Sequence, residues 1–171
     1  MPKKLPVAIT EKEFDMILAV TKKPKHKLAF ILGFFSGMRI SEILKLQPED
    51  VNMDQKSIFI RQGKGKKDRV VPLAKGFGEK SLKMLPLKFK NISSGSRSLE
   101  IAFLNIVKKS GIIRPGLHFH SLRHGFATHA LDKGIPIHQV QLLLGHSNVA
   151  TTSIYLQANP TDALRNYEEK F

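Results

Sequence analysis

Residues 118–155, HFHSLRHGFATHALDKGIPIHQVQLLLGHSNVATTSIY, carry the most informative pattern in the chain. His120 and Arg123 are spaced i,i+3, which places them side by side on one helix face. An imidazole and a guanidinium in that arrangement can hold a single phosphate. His146 follows an apolar run that ends at Leu144, and Tyr155 closes the stretch. Residue types that suit a phosphate are therefore carried on consecutive helical segments.

The composition indicates a nucleic-acid partner. The chain has 171 residues, enough for one domain with a sizeable core. Its 28 Lys and Arg residues against 14 Asp and Glu residues give a net charge of +14 and a pI near 10.1. Such a field attracts polyanions, so nucleic acid is the leading partner and an anionic membrane is second. The absence of cysteine excludes disulfides, thiolate zinc sites and cysteine nucleophiles.

Targeting signals and metal-binding patterns are both missing from the sequence. The longest apolar run, residues 28–35, is too short to span a bilayer, and no hydrophobic signal core follows the basic start of the chain. No cluster of Asp, Glu and His has the spacing of metal ligands, so a two-metal nuclease has no obvious site. The lack of a membrane span and of a signal core predicts a soluble, cytoplasmic protein, which a nucleic-acid partner would make nucleoid-associated.

Apolar spacing predicts a mainly α fold with a small antiparallel β-hairpin sheet. Helices are predicted from Thr10 onward and over residues 27–36, 41–46, 78–85, 97–109, 119–132, 136–144 and 161–169. Two strands, residues 57–61 and 69–73, flank a turn rich in glycine and lysine. Residues 1–9 contain two prolines and are expected to form a linker-like segment. Residues 10–171 are then one domain that ends in a tail helix.

Four stretches together resemble the catalytic domain of tyrosine recombinases, the Xer and phage-integrase family. They are HSLRHGFATH and LLGHSNVATTSIY from the region quoted above, with GMRISE (37–42) and GKGKK (63–67) upstream. The resemblance covers nearly the whole chain, and its motifs occur in the same order as in the family. It implies cleavage and rejoining of DNA strands through a 3′-phosphotyrosyl intermediate, without ATP or metal. It also implies a double-stranded DNA partner, a homotetramer on DNA and a tail helix that docks onto a neighbouring protomer, with folding of the tail back onto its own domain as the alternative.

The resemblance implies six catalytic positions. These are Arg39, Lys64, His120, Arg123, His146 and Tyr155. In such a site the two arginines hold the non-bridging oxygens of the scissile phosphate while the tyrosine attacks phosphorus. A free phenol has a pKa of about 10, so the tyrosine needs a base or strongly cationic surroundings, and His120 is the leading candidate for the base. Lys64 would protonate the leaving 5′ oxygen, and His146 would donate a hydrogen bond to a non-bridging oxygen.

Further positions are expected to support the site or to contact DNA. Glu42 matches an acidic family position that orients the cationic groups. His124 is expected to support the residues that contact the phosphate without contacting it itself. Three basic residues of the hairpin are expected to contact DNA: Lys66, Lys67 and Arg69. Lys66 is also the alternative to Lys64 as the general acid, because the two are close neighbours in the same turn.

Two other classes of function remain open. A type IB topoisomerase shares this chemistry and relaxes supercoils as a monomer, whereas a non-catalytic DNA-binding regulator needs only the charge. The match of both downstream strings to recombinases disfavours a topoisomerase, and a regulator has no need of Tyr155.

Single residues also have structural interpretations. Arg39 could simply pair with Glu42, His146 could cap a helix, and Tyr155 could be an ordinary half-buried tyrosine.

Overall fold

The computed structural model describes residues 7–61, 68–89, 95–145 and 160–170. Its elements in chain order are α1 (Glu11–Val20), α2 (Pro24–Phe35), α3 (Ile40–Lys45), a 3₁₀ turn (Pro48–Asp50), β1 (Val51–Asn52), β2 (Ser57–Ile60), β3 (Arg69–Pro72), α4 (Glu79–Leu82), α5 (Gly95–Lys109), α6 (His120–Asp132), α7 (Ile137–Leu144) and α8 (Pro160–Lys170). The predicted mainly α fold with a small antiparallel sheet is confirmed. None of the helices in these ranges is long and apolar enough to cross a membrane.

Local signals set the ends of α1 and α2. Thr10 caps α1, since its Oγ1 accepts the Glu13 N–H at 3.3 Å and its own N–H donates to the Glu13 carboxylate at 2.9 Å. α2 begins at Pro24, three residues before its predicted start. Proline fits the first turn of a helix because no N–H is needed there. Gly37, at φ 62°, turns the chain just beyond the end of α2.

The α2 helix lies in the core and packs directly against α6. Phe30 and Phe34 of α2 are at most 1% exposed. The close approach of α6 depends on a missing side chain, because a Cβ on Gly37 would lie 2.6 Å from Cδ1 of Phe126. The first turn of α6 is thereby held beside the segment that leaves α2.

Residues 7–9 pack on the domain, which corrects the expected boundary at residue 10. Ile9 is 2% exposed, and its N–H donates to the carbonyl of Ser121 at 3.2 Å. Arg114 donates to the carbonyl of Ala8 at 2.7 Å. An apolar side chain in the core, one backbone–backbone hydrogen bond and one hydrogen bond from the Arg114 side chain fix this segment, so it belongs to the folded domain and not to a linker.

The sheet contains three antiparallel strands in the order β1-β2-β3. The two predicted strands are present, each one residue shorter than expected. β1 was missed because two residues show no alternation from which a strand could be predicted. In the β2–β3 register Ile60 pairs with Arg69, at the strand ends that adjoin residues 62–67.

The tail helix α8 packs on α6 and α7 of its own chain. Tyr167 is 5% exposed, its ring stacks on Phe126 at 5.6 Å, and its hydroxyl donates to the Phe35 carbonyl at 2.7 Å. The resemblance had implied docking on a neighbouring protomer. Here the ring fills an apolar cluster and the hydroxyl is hydrogen-bonded, so both ends of this side chain find partners within the domain.

Candidate active site

Arg39 lies directly before α3 and is held by a carboxylate of that helix. Its backbone N–H donates to Oε2 of Glu42 at 2.8 Å, and its Nη1 donates to Oε1 at 2.9 Å. A backbone N–H at a helix start has no partner within the helix, and the Glu42 carboxylate satisfies it here. The Arg39 side chain is 35% exposed, so a ligand can reach it from solvent. The ion pair considered from the sequence is therefore present and leaves the arginine accessible.

Arg69 is the second partner of Glu42, and it is buried. Its side chain is 5% exposed, and its Nη1 and Nη2 donate to the two Glu42 oxygens, both at 2.8 Å. Its Nε donates to the carbonyl of Leu143 at 2.8 Å. This position corrects the expectation that Arg69 contacts DNA, because its guanidinium lies inside the domain and is hydrogen-bonded through all three nitrogens.

Glu42 stays ionised between these two guanidiniums. Burial alone would raise the pKa of the carboxyl group. The hydrogen bonds and charge of Arg69, followed by the hydrogen bonds of Arg39, outweigh burial and lower the pKa of Glu42 to about 2. At neutral pH the site therefore holds one fixed negative charge, which accepts four hydrogen bonds from the two arginines.

Arg123 sits in the first turn of α6 and is 3% exposed. Its Nη1 donates to the carbonyl of Gly37 at 2.7 Å, and its Nη2 donates to the carbonyl of Leu144. One guanidinium thus joins the segment after α2 to the end of α7. Burial, then the charges of Arg39 and Arg69, lower the pKa of Arg123 to about 9, so it remains charged at neutral pH. A guanidinium has further N–H donors beyond these two.

Three histidines cluster at the start of α6. The ring centroids of His120 and His124 are 4.8 Å apart with perpendicular planes, and those of His118 and His120 are 6.2 Å apart. Partial burial, then the charges of His124 and Arg123, lower the pKa of His120 to about 4. His120 is still exposed to solvent. At neutral pH it is therefore an accessible, neutral imidazole that can accept a proton.

Positive charge exceeds negative charge in this part of the site. Within the described ranges, three guanidiniums, those of Arg39, Arg69 and Arg123, lie near the carboxylate of Glu42. Like charges in a partly buried place are unfavourable unless they are compensated. The arrangement can therefore hold an anion, and a phosphodiester matches guanidinium donors in shape and charge.

The structure brings together every described residue that we predicted for the site. These are Arg39, Glu42, Arg69, His120, Arg123 and His124. The other predicted positions, Lys64, Lys66, Lys67, His146 and Tyr155, lie outside the described residues, and their roles stay predictions. The sequence reasoning missed the backbone acceptors, the carbonyls of Gly37, Leu143 and Leu144. No side-chain pattern could have identified them, because the tertiary fold brings these carbonyls to the arginines.

Comparison with known sequences gives the family. Residues 8–162 match the sequence model of the phage integrase family. The chain belongs to the phage integrase family. The resemblance found in the sequence motifs is thereby confirmed. Among curated relatives of this integrase-family chain, the tyrosine recombinase XerA of Pyrococcus horikoshii is 38% identical, over 99% of this chain and 63% of the relative.

Solved structures agree with this assignment. The crystal structure of XerA recombinase superposes with a TM-score of 0.69 at 29% identity, covering 99% of this chain and 66% of that one. The catalytic domain of bacteriophage HP1 integrase gives 0.62 at 27% identity, covering 88% and 86%. XerH site-specific recombinase bound to difH substrate, in a pre-cleavage complex, gives 0.68 at 28% identity, covering 94% and 53%. The fold is that of tyrosine recombinase catalytic domains.

The integrase-family chain is shorter than these relatives. It spans 58–64% of the length of the XerA proteins that it matches.

Proposed function

We propose that this chain cleaves and rejoins strands of double-stranded DNA as the strand-transferring domain of a tyrosine recombinase. The observation that carries the proposal is the group of three guanidiniums near the Glu42 carboxylate, with the neutral imidazole of His120 within range of the charges of Arg39 and Arg123. Arg39 and Arg123 offer charge and N–H donors to a phosphodiester, Arg69 adds positive charge behind them, and the imidazole offers a base. Membership of the family supports the same chemistry.

The reaction uses the site as follows. The Tyr155 hydroxyl attacks phosphorus, the bond to the 5′ oxygen breaks, and a 3′-phosphotyrosyl bond forms. Arg39 and Arg123 hold the non-bridging oxygens, where charge increases in the transition state. His120 takes the phenolic proton and Lys64 supplies a proton to the leaving 5′ oxygen. Attack by a 5′ hydroxyl reverses these steps, so no ATP is consumed.

Tyr155 is the tyrosine that remains for the nucleophilic role. The chain contains two tyrosines, and the other is Tyr167. Burial raises the pKa of the Tyr167 phenol, and its hydroxyl already donates to the Phe35 carbonyl at 2.7 Å. A phenol in that position is neither accessible to a phosphate nor readily ionised. This supports Tyr155, which we predicted from its position in the motif.

Supporting roles complete the proposal. His146 donates to a non-bridging oxygen, and Lys66 and Lys67 contact DNA phosphates. Glu42 orients Arg39 through the hydrogen bonds described above. His124 assists His120, whose ring lies 4.8 Å away and whose pKa it lowers.

The partner follows from the charge and the family. A net charge of +14 favours a polyanion, and the structurally similar XerH was solved with its difH substrate. We infer that the partner is double-stranded DNA, that four protomers assemble on two sites, and that the protein acts on DNA in the cytoplasm, at the nucleoid. Residues 10–171, together with residues 7–9 that pack on them, form the domain that performs this reaction.

Covalent capture tests the proposal. The chain is incubated with nicked duplexes of randomised arm sequence, in which a short cleaved strand diffuses away and traps the adduct. We expect an adduct that survives denaturing electrophoresis with the unmodified chain and with Tyr167→Phe. We expect none with Tyr155→Phe, while DNA binding stays within a few-fold. An adduct formed by Tyr155→Phe would contradict the proposal, and joining of two different captured DNAs would distinguish a recombinase from a topoisomerase.

A further inference from the structure

Arg69 contacts two elements of the site at once and belongs to a third. We propose that Arg69 is a positioning residue that fixes Glu42, and through it Arg39, relative to the end of α7. This role deepens the proposed function and rests on it. The family motifs describe the residues that contact phosphate, whereas the Arg69 guanidinium is buried and acts through its neighbours.

The contact with Glu42 fixes the carboxylate in place. Each Glu42 oxygen accepts one hydrogen bond from Arg69 and one from Arg39. A planar guanidinium that binds both oxygens of a carboxylate prevents its rotation. The carboxylate in turn holds the Arg39 backbone and guanidinium. If Arg69 is replaced, the carboxylate can turn and Arg39 loses its fixed position.

The contact with α7 links Arg69 to the helix that precedes the predicted nucleophile, Tyr155, in the sequence. Nε of Arg69 donates to the Leu143 carbonyl, one of the last carbonyls of the helix, which have no partner within it. The adjacent Leu144 carbonyl accepts from Arg123. Two arginines therefore hold two consecutive carbonyls at the end of α7. Gly145 makes this contact possible, since it has φ 62° and a Cβ there would lie 2.7 Å from Cδ of Arg69.

The position of Arg69 in the sheet adds the hairpin. Arg69 is the first residue of β3 and pairs with Ile60, the last residue of β2. Residues 61–68, which include Lys64, connect these two residues in the sequence. One side chain thus ties the base of the hairpin, the partner of Arg39 and the end of α7 into a single frame.

The test compares Arg69→Lys with Arg61→Lys in the full chain. Lysine keeps the charge, but one ammonium cannot bind both Glu42 oxygens and the Leu143 carbonyl. We expect Arg69→Lys to slow adduct formation at saturating protein by about 10- to 100-fold, the range that a small misplacement of a reacting group produces. Arg61 follows β2 at the other side of the hairpin base, is 66% exposed and pairs with Asp50. Arg61→Lys should stay within about twofold.

A double-variant cycle distinguishes positioning from general support of the fold. If Arg69 acts through Arg39, the double variant Arg69→Lys with Arg39→Lys should be no slower than Arg39→Lys alone.

The pH dependence of the cleavage rate is a second readout. Loss of the Arg69 hydrogen bonds lets the pKa of Glu42 rise, so cleavage by Arg69→Lys should fall as the pH is lowered from 7 toward 5, and Glu42→Gln should remove that difference.

Three results would overturn the inference. Adduct formation by Arg69→Lys at the rate of the unmodified chain is the first, and multiplicative losses in the double variant are the second. If Arg69→Lys does not fold, the neutral pair Arg69→Gln with Glu42→Gln replaces it, and an unimpaired rate there is the third. Failure of the proposed function gives a different result, because the unmodified chain and Arg61→Lys would then form no adduct.

Discussion

The inner and outer halves of the site differ in how their cations are held. In the inner half, Arg69 and Arg123 are buried, and each donates to a backbone carbonyl at the end of α7. In the outer half, the Arg39 side chain is 35% exposed and His120 is accessible to solvent. The inner half is fixed by the fold before any ligand arrives, and the outer half is open to solvent. Within the inner half, Arg123 has further N–H donors for a ligand beyond its two contacts with carbonyls. Preorganised donors need no rearrangement when charge develops on a phosphate, and the inner half supplies that rigidity.

Arg39 and Arg123, the two arginines that we propose bind the phosphate, should differ in their effect on stability when each is changed to lysine. Lysine keeps the charge but loses the planar fork, so we expect Arg39→Lys and Arg123→Lys each to slow cleavage by about 10²–10³-fold. Stability should respond differently. Arg123→Lys leaves a buried carbonyl without its donor, which costs about 1–3 kcal/mol of unfolding free energy. Arg39→Lys changes only a partly exposed pair, which contributes less than about 1 kcal/mol.

Urea unfolding and nicked-substrate kinetics on both variants provide the measurement. If both changes lower the unfolding free energy equally, buried Arg123 does not contribute more to stability than partly exposed Arg39. A near-normal cleavage rate for either variant would remove that arginine from the phosphate site.

The contact between Glu42 and Arg69 of the inner half should make the free energy of unfolding sensitive to acid. The pKa of Glu42 is about 2 in the folded chain and about 4.5 when unperturbed, so the ionised carboxylate stabilises the folded state above about pH 4.5. This contribution amounts to roughly 3 kcal/mol and is lost as the pH falls from about 4.5 toward 2, because the unfolded chain takes up the proton first. Unfolding free energies measured between pH 5 and pH 3 should fall faster for the unmodified chain than for Glu42→Gln. Parallel pH profiles would show that Arg39 and Arg69 do not hold the carboxylate ionised.

Periodicity explains why much of the outer half could be predicted from the sequence. The i,i+3 spacing that joins Arg39 to Glu42 and His120 to Arg123 is a property of the helix itself, so these neighbours follow from local sequence. The capping pair at Thr10 is equally local. Residues 7–9 were assigned wrongly because their packing depends on α6, which lies more than a hundred residues later in the chain.

The burial of Arg69 could not be predicted, for a related reason. A strand alternates its side chains between two faces, but the sequence does not state which face meets the rest of the fold. The lysine-rich turn beside Arg69 suggested a solvent-exposed surface. The decisive partners were a glutamate from α3 and a carbonyl of α7, which only the tertiary fold brings to the strand.

The smallest expected effect is a change in the pH dependence of cleavage when a histidine next to His120 is removed. His120 must be neutral to accept a proton, so the cleavage rate is lost as the pH falls below its pKa, which is about 4 in the ligand-free chain. His124 is the second-largest cause of that low value, after burial. Removing its charge in His124→Ala should raise the pKa of His120 and move the loss of activity toward neutral pH. The second-order cleavage rate constant reports the ligand-free protein, so its ratio between pH 5 and pH 8 is the appropriate measure. We expect that ratio to be a few-fold lower in His124→Ala than in the unmodified chain.

His129→Ala is the matched control. His129 lies nine residues after His120 on α6, which turns its side chain to the opposite face of the helix, beside Phe34. If His124→Ala leaves the ratio unchanged, or if His129→Ala lowers it equally, the proton-accepting role of His120 does not depend on the histidine pair at the start of α6.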